Sequence, residues 1–356
     1  MNDASKTIHQ QITDAVEHST PLRISAGNSK TFYGNHIDAQ NLSLAEHHGI
    51  TEYHPSELVV TVRSGTKLCD LEAELKSNNQ MLGFEPPQHD AETTIGGVIA
   101  SGLSGPRRAT CGAARDFVLG TTIINGRAEK CRFGGQVMKN VAGYDASRLM
   151  VGAQGTLGVI LDVSIKILPV NETEISLQLT TDAGTAIKHI QQWIMQGLPS
   201  SASCIFKDTL YLRLGSTHSA VKQSLQTINS VFDSTEIDNA FWSQIKNQTH
   251  DFFQNTEKLW RCSHQPTTER YGDDTTDNQL IEWGGALRWV KQEADLHAAA
   301  ASHQGHATRY PLNSSDGTTT DIFQPLQAGI LKLHKNLKQA FDPANIFNPG
   351  RLYSDL

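Results

Sequence analysis

Residues 93–105 read TTIGGVIASGLSG and follow the pair Pro86-Pro87. The run is built from small and β-branched side chains, with Gly96 and Gly97 adjacent. Where no Cβ intervenes, backbone N–H groups approach an anion closely, so such a stretch can hold a pyrophosphate without a lysine or arginine. Two further stretches share this character. Ser25-Ala26-Gly27-Asn28-Ser29 follows the strand-like PLRIS (21–25), and Gly152, Gly155 and Gly158 recur at three-residue steps around Thr156. One glycine loop alone marks a tight turn or close packing. Three of them before residue 170, in this order, point to a phosphate cradle.

The familiar nucleotide and hydrolase signatures are missing. No GxGxxG opens a helix after an early strand, and no GxxxxGK[ST] is present, which disfavours a Rossmann site and excludes a P-loop. There is no GxSxG and no HExxH. His297, His303 and His306 lie near one another, but no cysteine or carboxylate at ligand spacing completes a metal set, so no metal is expected.

Composition narrows the class further. The chain has 356 residues, 38% of them hydrophobic, which suggests two or three domains. Its 30 Lys+Arg against 37 Asp+Glu give a net charge of −7, without a basic run, which argues against a protein that neutralises nucleic-acid phosphates. No apolar run approaches the roughly 20 residues needed to span a bilayer. The N-terminal MNDASKTIHQQ lacks the layout of a signal peptide. A cytoplasmic location is expected. The five cysteines (Cys69, Cys111, Cys131, Cys204, Cys262) are odd in number and scattered without a CxxC pair, which argues against a disulfide framework or a self-contained iron–sulfur cluster.

Periodicity predicts a helix over 5–19, strands at 21–25 and 57–63, and a helix over 66–78 with Leu68, Leu71 and Leu75 on one face. Residues 116–125 and 129–133 read as a hairpin closed by Asn125-Gly126. Residues 155–169 form a strand or strand pair ending at Pro169. Beyond it, strands (174–181, 209–215) alternate with helices (185–197, 219–232). A helix near 239–254, strand-like pieces near 257–262 and 281–289, a helix near 290–303 and a strand near 305–310 follow. Without crossover glycine motifs, this reads as an antiparallel sheet backed by helices. A polar loop over 311–321 precedes a helix at 325–341. The expected division is 1–170, 171–320 and 321–356.

The ordered blocks RISAGNSKTFYG (23–34), EPP with TTIGGVIASGLSG (85–105), RDFVLG (115–120) and KNVAGYDASRLMVGAQGTLGVI (139–160) resemble the FAD-binding domain of the PCMH-type, or vanillyl-alcohol-oxidase, flavoprotein family. SGPRR (104–108), FGGQVMKNVAGYD (133–145) and WGGALRW (283–289) resemble its branch of FAD-binding small subunits of bacterial glycolate oxidases. FDPANIFNPGR (341–351) resembles the family's closing motif. The likeness is strong over 20–170, moderate over 280–356 and generic between.

The resemblance implies an α+β chain: a PCMH-type FAD-binding domain of two α/β subdomains, then an antiparallel α+β cap, with the C-terminal helix and tail returning to the FAD domain. It implies FAD contacts at Ser25, Ala26, Gly27, Asn28, Ser29, Pro87, Thr94, Gly96, Gly97, Ser101, Gly102, Ser104, Val159 and Asn348. Asn28 stands where covalent members carry the linking histidine, which implies non-covalent FAD. The family's His-x-Gly-Asp-Gly-Asn-type substrate and metal segment has no counterpart; Gly305-His306-Ala307-Thr308 holds a comparable place without the acidic and amide groups. Catalytic candidates are Arg107, Lys139, Tyr144, Arg288 and His306. The implied function is an FAD subunit of a glycolate or related 2-hydroxy acid oxidase complex. Its implied partners are a second, catalytic FAD subunit and an iron–sulfur subunit, with peripheral placement at the inner membrane through the complex. A stand-alone FAD oxidoreductase and a non-catalytic structural flavoprotein subunit stay open as alternatives.

Overall fold

A computed structural model describes residues 1–135, 145–254, 258–267, 277–310 and 322–356. Two compact units divide the chain: Met1–Leu103, Ala113–Pro169 and Asp316–Leu356 form one, Ser104–Gly112 and Val170–Ser315 the other. The short segment Ser104–Gly112 thus groups with the second unit although the chain around it belongs to the first.

The first unit opens with α1 (Ser5–His18), whose Ile8, Ile12 and Ala15 are buried one helical turn apart. Strands β1 (Leu22–Ser25) and β2 (Gln40–Ser43) pair in parallel. Then come β3 (Ile50–His54), β4 (Val59–Arg63), α2 (Leu68–Ser77), β5 (Gln80–Met81) and α3 (Ile95–Ser101). After the short α4 (Arg108–Cys111) of the second unit, α5 (Ala114–Phe117), β6 (Val118–Ile124), β7 (Lys130–Gly134), β8 (Val159–Lys166) and β9 (Leu168–Pro169) follow. Five of these strands form an antiparallel sheet in the order β3-β4-β8-β6-β7. α2 buries Leu68, Leu71 and Leu75, and α3 packs on β4 and β8.

The β6–β7 hairpin forms, but not through a two-residue turn on Asn125-Gly126. Asn125 N–H donates to the Glu129 carbonyl (3.0 Å), and the left-handed position falls on Ala128 (φ 58°). Gly126 is needed for another reason: a Cβ there would lie 2.3 Å from Asp342 Oδ1. The hairpin tip is where the end of the chain docks.

That end is α10 (Ala328–Phe341) and its tail. The whole ammonium of Lys338 is used: it donates to Asp342 Oδ2 (2.7 Å), the Thr156 carbonyl (2.8 Å) and the Phe347 carbonyl (2.7 Å). Asp342 in turn accepts from Ile346 N–H (3.1 Å) and Phe347 N–H (2.8 Å). Leu22 N–H donates to the Ile346 carbonyl and Asn348 N–H to the Leu22 carbonyl, so the tail lies beside β1 as a further strand-like partner. Ile346 and Phe347 enter one apolar cluster with Ile8, Ile12, Leu22, Leu42, Val159 and Leu161.

The second unit supplies β10 (Thr173–Thr180), α6 (Ala183–Met195), β11 (Ser200–Phe206), β12 (Thr209–Ser216), α7 (His218–Asn229), β13 (Ser234–Ile237) and α8 (Ala240–Lys246). It closes with β14 (Leu259–Ser263), β15 (Gln279–Glu282), β16 (Leu287–Lys291), α9 (His297–Ser302) and β17 (His306–Arg309). Its eight strands form an antiparallel sheet in the order β13-β10-β12-β11-β15-β16-β14-β17. Alternation assigns the faces. Leu177, Leu179, Ile205, Leu210, Leu212, Leu214 and Ile281 pack against Ala186, Ile190 and Trp193 of α6 and Val221 and Ile228 of α7. Asp182 and Thr217 cap the two helices, each accepting a backbone N–H three residues on. The helix predicted near 239–254 is shorter because Phe252 and Phe253 bury in a separate 3₁₀ turn, Asp251–Phe253. The one predicted near 290 starts at His297 because β16 runs on to Lys291.

Replacing Lys338 by Met should leave the Asp342 carboxylate buried without its counter-charge and cost about 3–5 kcal/mol of stability. The half-exposed Lys335–Asp355 pair is the control: Lys335→Met should cost about 0–1 kcal/mol. Urea unfolding of the two variants separates the cases, and equal midpoints would refute the clasp.

Candidate functional site

In the first unit, three loops and the chain end line a cavity that opens to solvent. Its first wall is the segment Arg23–Thr31 that follows from β1. Asn28 adopts a left-handed backbone (φ 57°), a conformation asparagine tolerates better than most residues. Gly27 has no alternative: a Cβ there would lie 1.5 Å from the Glu92 carbonyl oxygen. Thr93 Oγ1 donates to Ser29 Oγ (3.0 Å) and ties this wall to the next.

The second wall is the start of α3. Thr94 caps it, accepting from Gly97 N–H, and Gly96 N–H donates to the Ser64 carbonyl at 2.7 Å. The two glycines differ in purpose. A Cβ on Gly96 would come within 2.8 Å of Ser64 Cβ, so Gly96 permits packing. A Cβ on Gly97 would meet only Thr94 Oγ1, at 3.5 Å, so Gly97 keeps the cavity open.

Gln154, Gly155 and Gly158 form the third wall. It is pinned to α3 by Gln154 N–H donating to the Ala100 carbonyl (2.9 Å). Asn348 joins first wall to third, accepting from Ile24 N–H (2.8 Å) and donating to the Gln154 carbonyl (2.6 Å). Arg351 fans its guanidinium over the carbonyls of Lys30, Thr31, Tyr33, Gly34 and Asn35 (2.7–3.2 Å). Burial, with Arg23 nearby, lowers its pKa to about 10.

Lys30 is the electrostatic exception. Its Nζ is buried and has no hydrogen-bond partner among the described residues. Burial lowers its pKa to about 8 despite Asp90 nearby, while burial and Lys30 together push His89 down to about 3. A cavity walled by glycines, with an orphaned ammonium at its edge, fits an anionic group such as a pyrophosphate.

Of the residues expected at FAD, Ser25, Ala26, Gly27, Asn28, Ser29, Thr94, Gly96, Gly97, Ser101 and Asn348 line this one cavity. Pro87, Gly102 and Val159 are absent from its lining. Pro87 is buried, Gly102 ends α3 in a left-handed turn (φ 65°) against Gly152, and the Val159 side chain sits in the apolar cluster under β1. Ser104 groups with the second unit. Lys30, Arg23, His36 and Arg351 also line the cavity and were not singled out from sequence. Lys30 directly follows the Ser25–Ser29 loop and Arg351 closes the Asn-Pro-Gly-Arg run, which were the signals available.

Among the catalytic candidates, Lys139 and Tyr144 lie outside the described residues. Arg107 is buried and paired to Glu174 at 2.6 Å. Arg288 stands opposite Ile281 and Cys262 in register, on the face that the second unit's helices cover. His306 begins β17 near Arg261 and Arg108, and desolvation followed by those two charges lowers its pKa. Among the described residues no group of three or more His, Cys, Asp or Glu is placed to hold a metal ion. No helix there is long and apolar enough to cross a membrane.

Cradle, antiparallel sheets and returning tail define an FAD-binding fold of the flavin-linked oxidases. A family model described as "FAD binding domain" matches residues 5–134, and one described as "FAD linked oxidases, C-terminal domain" matches 326–352. The fold is shared with 4-ethylphenol oxidase from Gulosibacter chungangensis (TM-score 0.74, 12% identity, 97% of this chain and 87% of that one). It is shared also with alkyldihydroxyacetonephosphate synthase (TM-score 0.69, 13% identity, 98% and 76%). The sequence is 43% identical to glycolate oxidase subunit GlcE of Escherichia coli (strain K12), over 99% of both chains. It is 24% identical to glycolate oxidase subunit GlcD of Bacillus subtilis (strain 168), over 98% of this chain and 87% of that one. The chain belongs to the PCMH-type FAD-linked oxidoreductase family, in the branch that contains GlcE.

Two measurements test the cradle. Gly97→Leu should fold at least as stably as the parent, since a helix gains about 0.8–1 kcal/mol when glycine is replaced, yet purify without flavin. Gly27→Ala should instead destabilise by about 1–3 kcal/mol, because its Cβ overlaps backbone. Flavin absorbance and thermal unfolding read both; flavin retained in Gly97→Leu would refute the assignment.

Lys30 carries a pH signature. Its folded pKa near 8 lies below the unfolded value of 10.5, so between these pH values the unfolded state holds a proton that the folded state has lost. Stability of the cofactor-free chain therefore rises with pH through that window. Lys30→Met should flatten this rise and add about 3 kcal/mol below pH 8. An anion bound beside Lys30 behaves oppositely, losing affinity as pH climbs through 8. Urea titrations across pH 7–11 check the slope.

Proposed function

We propose that this chain is the FAD-binding subunit of a complex that oxidises glycolate or a related 2-hydroxy acid. Its partners in this reading are a catalytic subunit with its own FAD and an iron–sulfur subunit. The observation that carries the reading is the 43% identity to GlcE along essentially the whole of both chains. The glycine-walled cavity supports it, since it offers close backbone approach and one uncompensated cation to an anionic cofactor. FAD held in this cavity would supply the hydride- and electron-transfer chemistry of a flavin, and the chain's residues would hold and place it.

The protein's part is placement. Gly97 leaves room for the cofactor, Lys30 opposes its negative charge, and Asn348 and Arg351 hold the walls at fixed separation. Asn28, in the loop wall, carries an amide that does not add to a flavin ring, which supports non-covalent attachment. The dependence on a partner follows from Gly305-His306-Ala307-Thr308, where no acidic or amide side chain joins the histidine. The five dispersed cysteines supply no cluster to carry electrons away.

Acid precipitation should release one FAD per chain into the supernatant; flavin that stays with the pellet would refute non-covalent binding. With glycolate as donor and a dye as acceptor, the purified FAD-loaded chain should turn over slowly, and at full rate only with the subunits that co-purify from the native cell. Equal turnover per flavin in the two preparations would make this chain a complete enzyme. Lack of any flavin in the native chain would favour a purely structural subunit.

A further inference from the structure

The second unit's sheet has one face covered by α6, α7 and α9 and a second face of different character. Arg261 on β14 stands opposite Trp289 on β16 and Thr308 on β17, so these three side chains share that second face. Ser263 and His306, the next pair on the same strands and the same side, extend it. The Arg261 guanidinium lies 5.9 Å from the Trp289 ring centre and 5.0 Å from that of Trp283. Arg108 lies over the same Trp283 ring at 4.3 Å.

The arginines of this unit divide by charge balance. Arg107 and Arg213 share Glu174, at 2.6 and 3.7 Å, and Arg213 also donates to Ser201 Oγ. The Arg261 side chain forms no ion pair and no hydrogen bond with any described residue; its guanidinium lies against the two indoles. Aromatic faces hold a guanidinium in place and strip part of its water while leaving its N–H edge unused. A second guanidinium, Arg108, lies on the same Trp283 ring, and His306 is close to both.

The shelf itself is rigid. Trp283 is held in a left-handed backbone (φ 55°), a costly conformation for a bulky residue that persists where neighbours over-determine it. Its indole N–H donates to the Gly105 carbonyl (3.1 Å), and the next residue, Gly284, donates its N–H to Ser203 Oγ (2.9 Å). Trp289 donates to Glu282 Oε1 (2.7 Å) and packs edge-on against Phe253 and Tyr310. An aromatic box with fixed walls thus presents one guanidinium whose planar fork matches a carboxylate.

We propose that Arg261, shelved on Trp283 and Trp289 and flanked by Arg108 and His306, is a binding site for the carboxylate of a small 2-hydroxy acid. The carboxylate class follows from the geometry; the choice of a hydroxy acid rests on the function proposed above. His306, whose protonation is disfavoured by desolvation and by the two arginines, offers the neighbouring hydroxyl a hydrogen-bond partner.

The test uses the full FAD-loaded chain and its own tryptophans. Oxalate and glycolate should change tryptophan fluorescence saturably, and ethylene glycol, which lacks a carboxylate, should not. Arg261→Gln should weaken oxalate binding about tenfold or more, the size of one lost charge-assisted hydrogen bond, and Arg261→Lys should fall between. Flavin content should be unchanged in both variants, since the cradle belongs to the other unit, and this also verifies folding. An unaltered oxalate titration in Arg261→Gln, or an equal response to ethylene glycol, overturns the site. So does a wild-type chain blind to oxalate whose Arg261→Gln variant no longer co-purifies with its partners, which would assign the arginine to a protein carboxylate. Oxalate binding through Arg261 in a complex that oxidises no 2-hydroxy acid would sustain the carboxylate site while refuting the proposed function.

Discussion

The buried Lys338 ammonium is the point on which the first unit closes. Three acceptors meet on it: the Asp342 carboxylate and the Phe347 carbonyl from the tail, and the Thr156 carbonyl from far earlier in the chain. A buried ion pair adds little stability against an apolar replacement of both partners, but it tolerates the loss of neither one alone. Its value here is geometric. With Lys338 and Asp342 locked, the tail can run only beside β1, and that course brings Asn348 between the Ile24 amide and the Gln154 carbonyl. Three residues later Arg351 gathers the carbonyls of the loop beyond Ser29. The cradle is therefore assembled from loops that have little regular structure of their own and owe their spacing to a helix far along the chain.

This dependence explains which parts of the molecule were legible in its sequence. α1, α2, α6 and α7 announced themselves through apolar spacing, because each buries one stripe against a sheet, and periodicity is the direct record of such burial. The three small-residue loops were legible as well, since close backbone approach demands glycine whatever surrounds it. What the glycines were for was less readable. Gly27, Gly96 and Gly97 look alike in sequence, yet Gly27 clears a carbonyl, Gly96 a serine, and Gly97 the cavity. Gly126 seemed to need only a turn and in fact makes room for Asp342. Each distinction depends on a neighbour distant along the chain, which no local pattern encodes.

Lys30 and Arg351 went unremarked for the same reason. Both follow recognisable blocks, but a lysine after a loop is ordinarily a solvated one, and only the folded chain shows that its Nζ has been drawn inside. The segment Ser104–Gly112 shows the complementary limit. In sequence it continues the glycine-rich run of the first unit. In the structure Arg107 pairs with Glu174, Thr110 Oγ1 donates to the Ser201 carbonyl, and Gly105 accepts from Trp283, so it belongs with the second. These partners lie roughly 70–180 residues onward, beyond the reach of any windowed reading.

The treatment of positive charge links the two units. In a chain with a net charge of −7, carboxylates are plentiful, and the buried cations are mostly matched or sheathed. Lys338 has Asp342, Arg107 and Arg213 have Glu174, and Arg351 is enclosed by carbonyls. Against that background Lys30 and Arg261 stand apart, one in each unit. Each is held by its surroundings without a carboxylate bound to it, and each sits where the local architecture is fixed by long-range contacts rather than by the charge itself. Leaving a cation withdrawn from water, as Lys30 Nζ is, without a negative partner is unfavourable unless something else supplies the charge; Arg261 is only partly covered, its guanidinium lying against two indoles. The same accounting that makes Lys338 a structural residue is what supports the two proposals made above, an anionic cofactor group beside Lys30 and a carboxylate at Arg261.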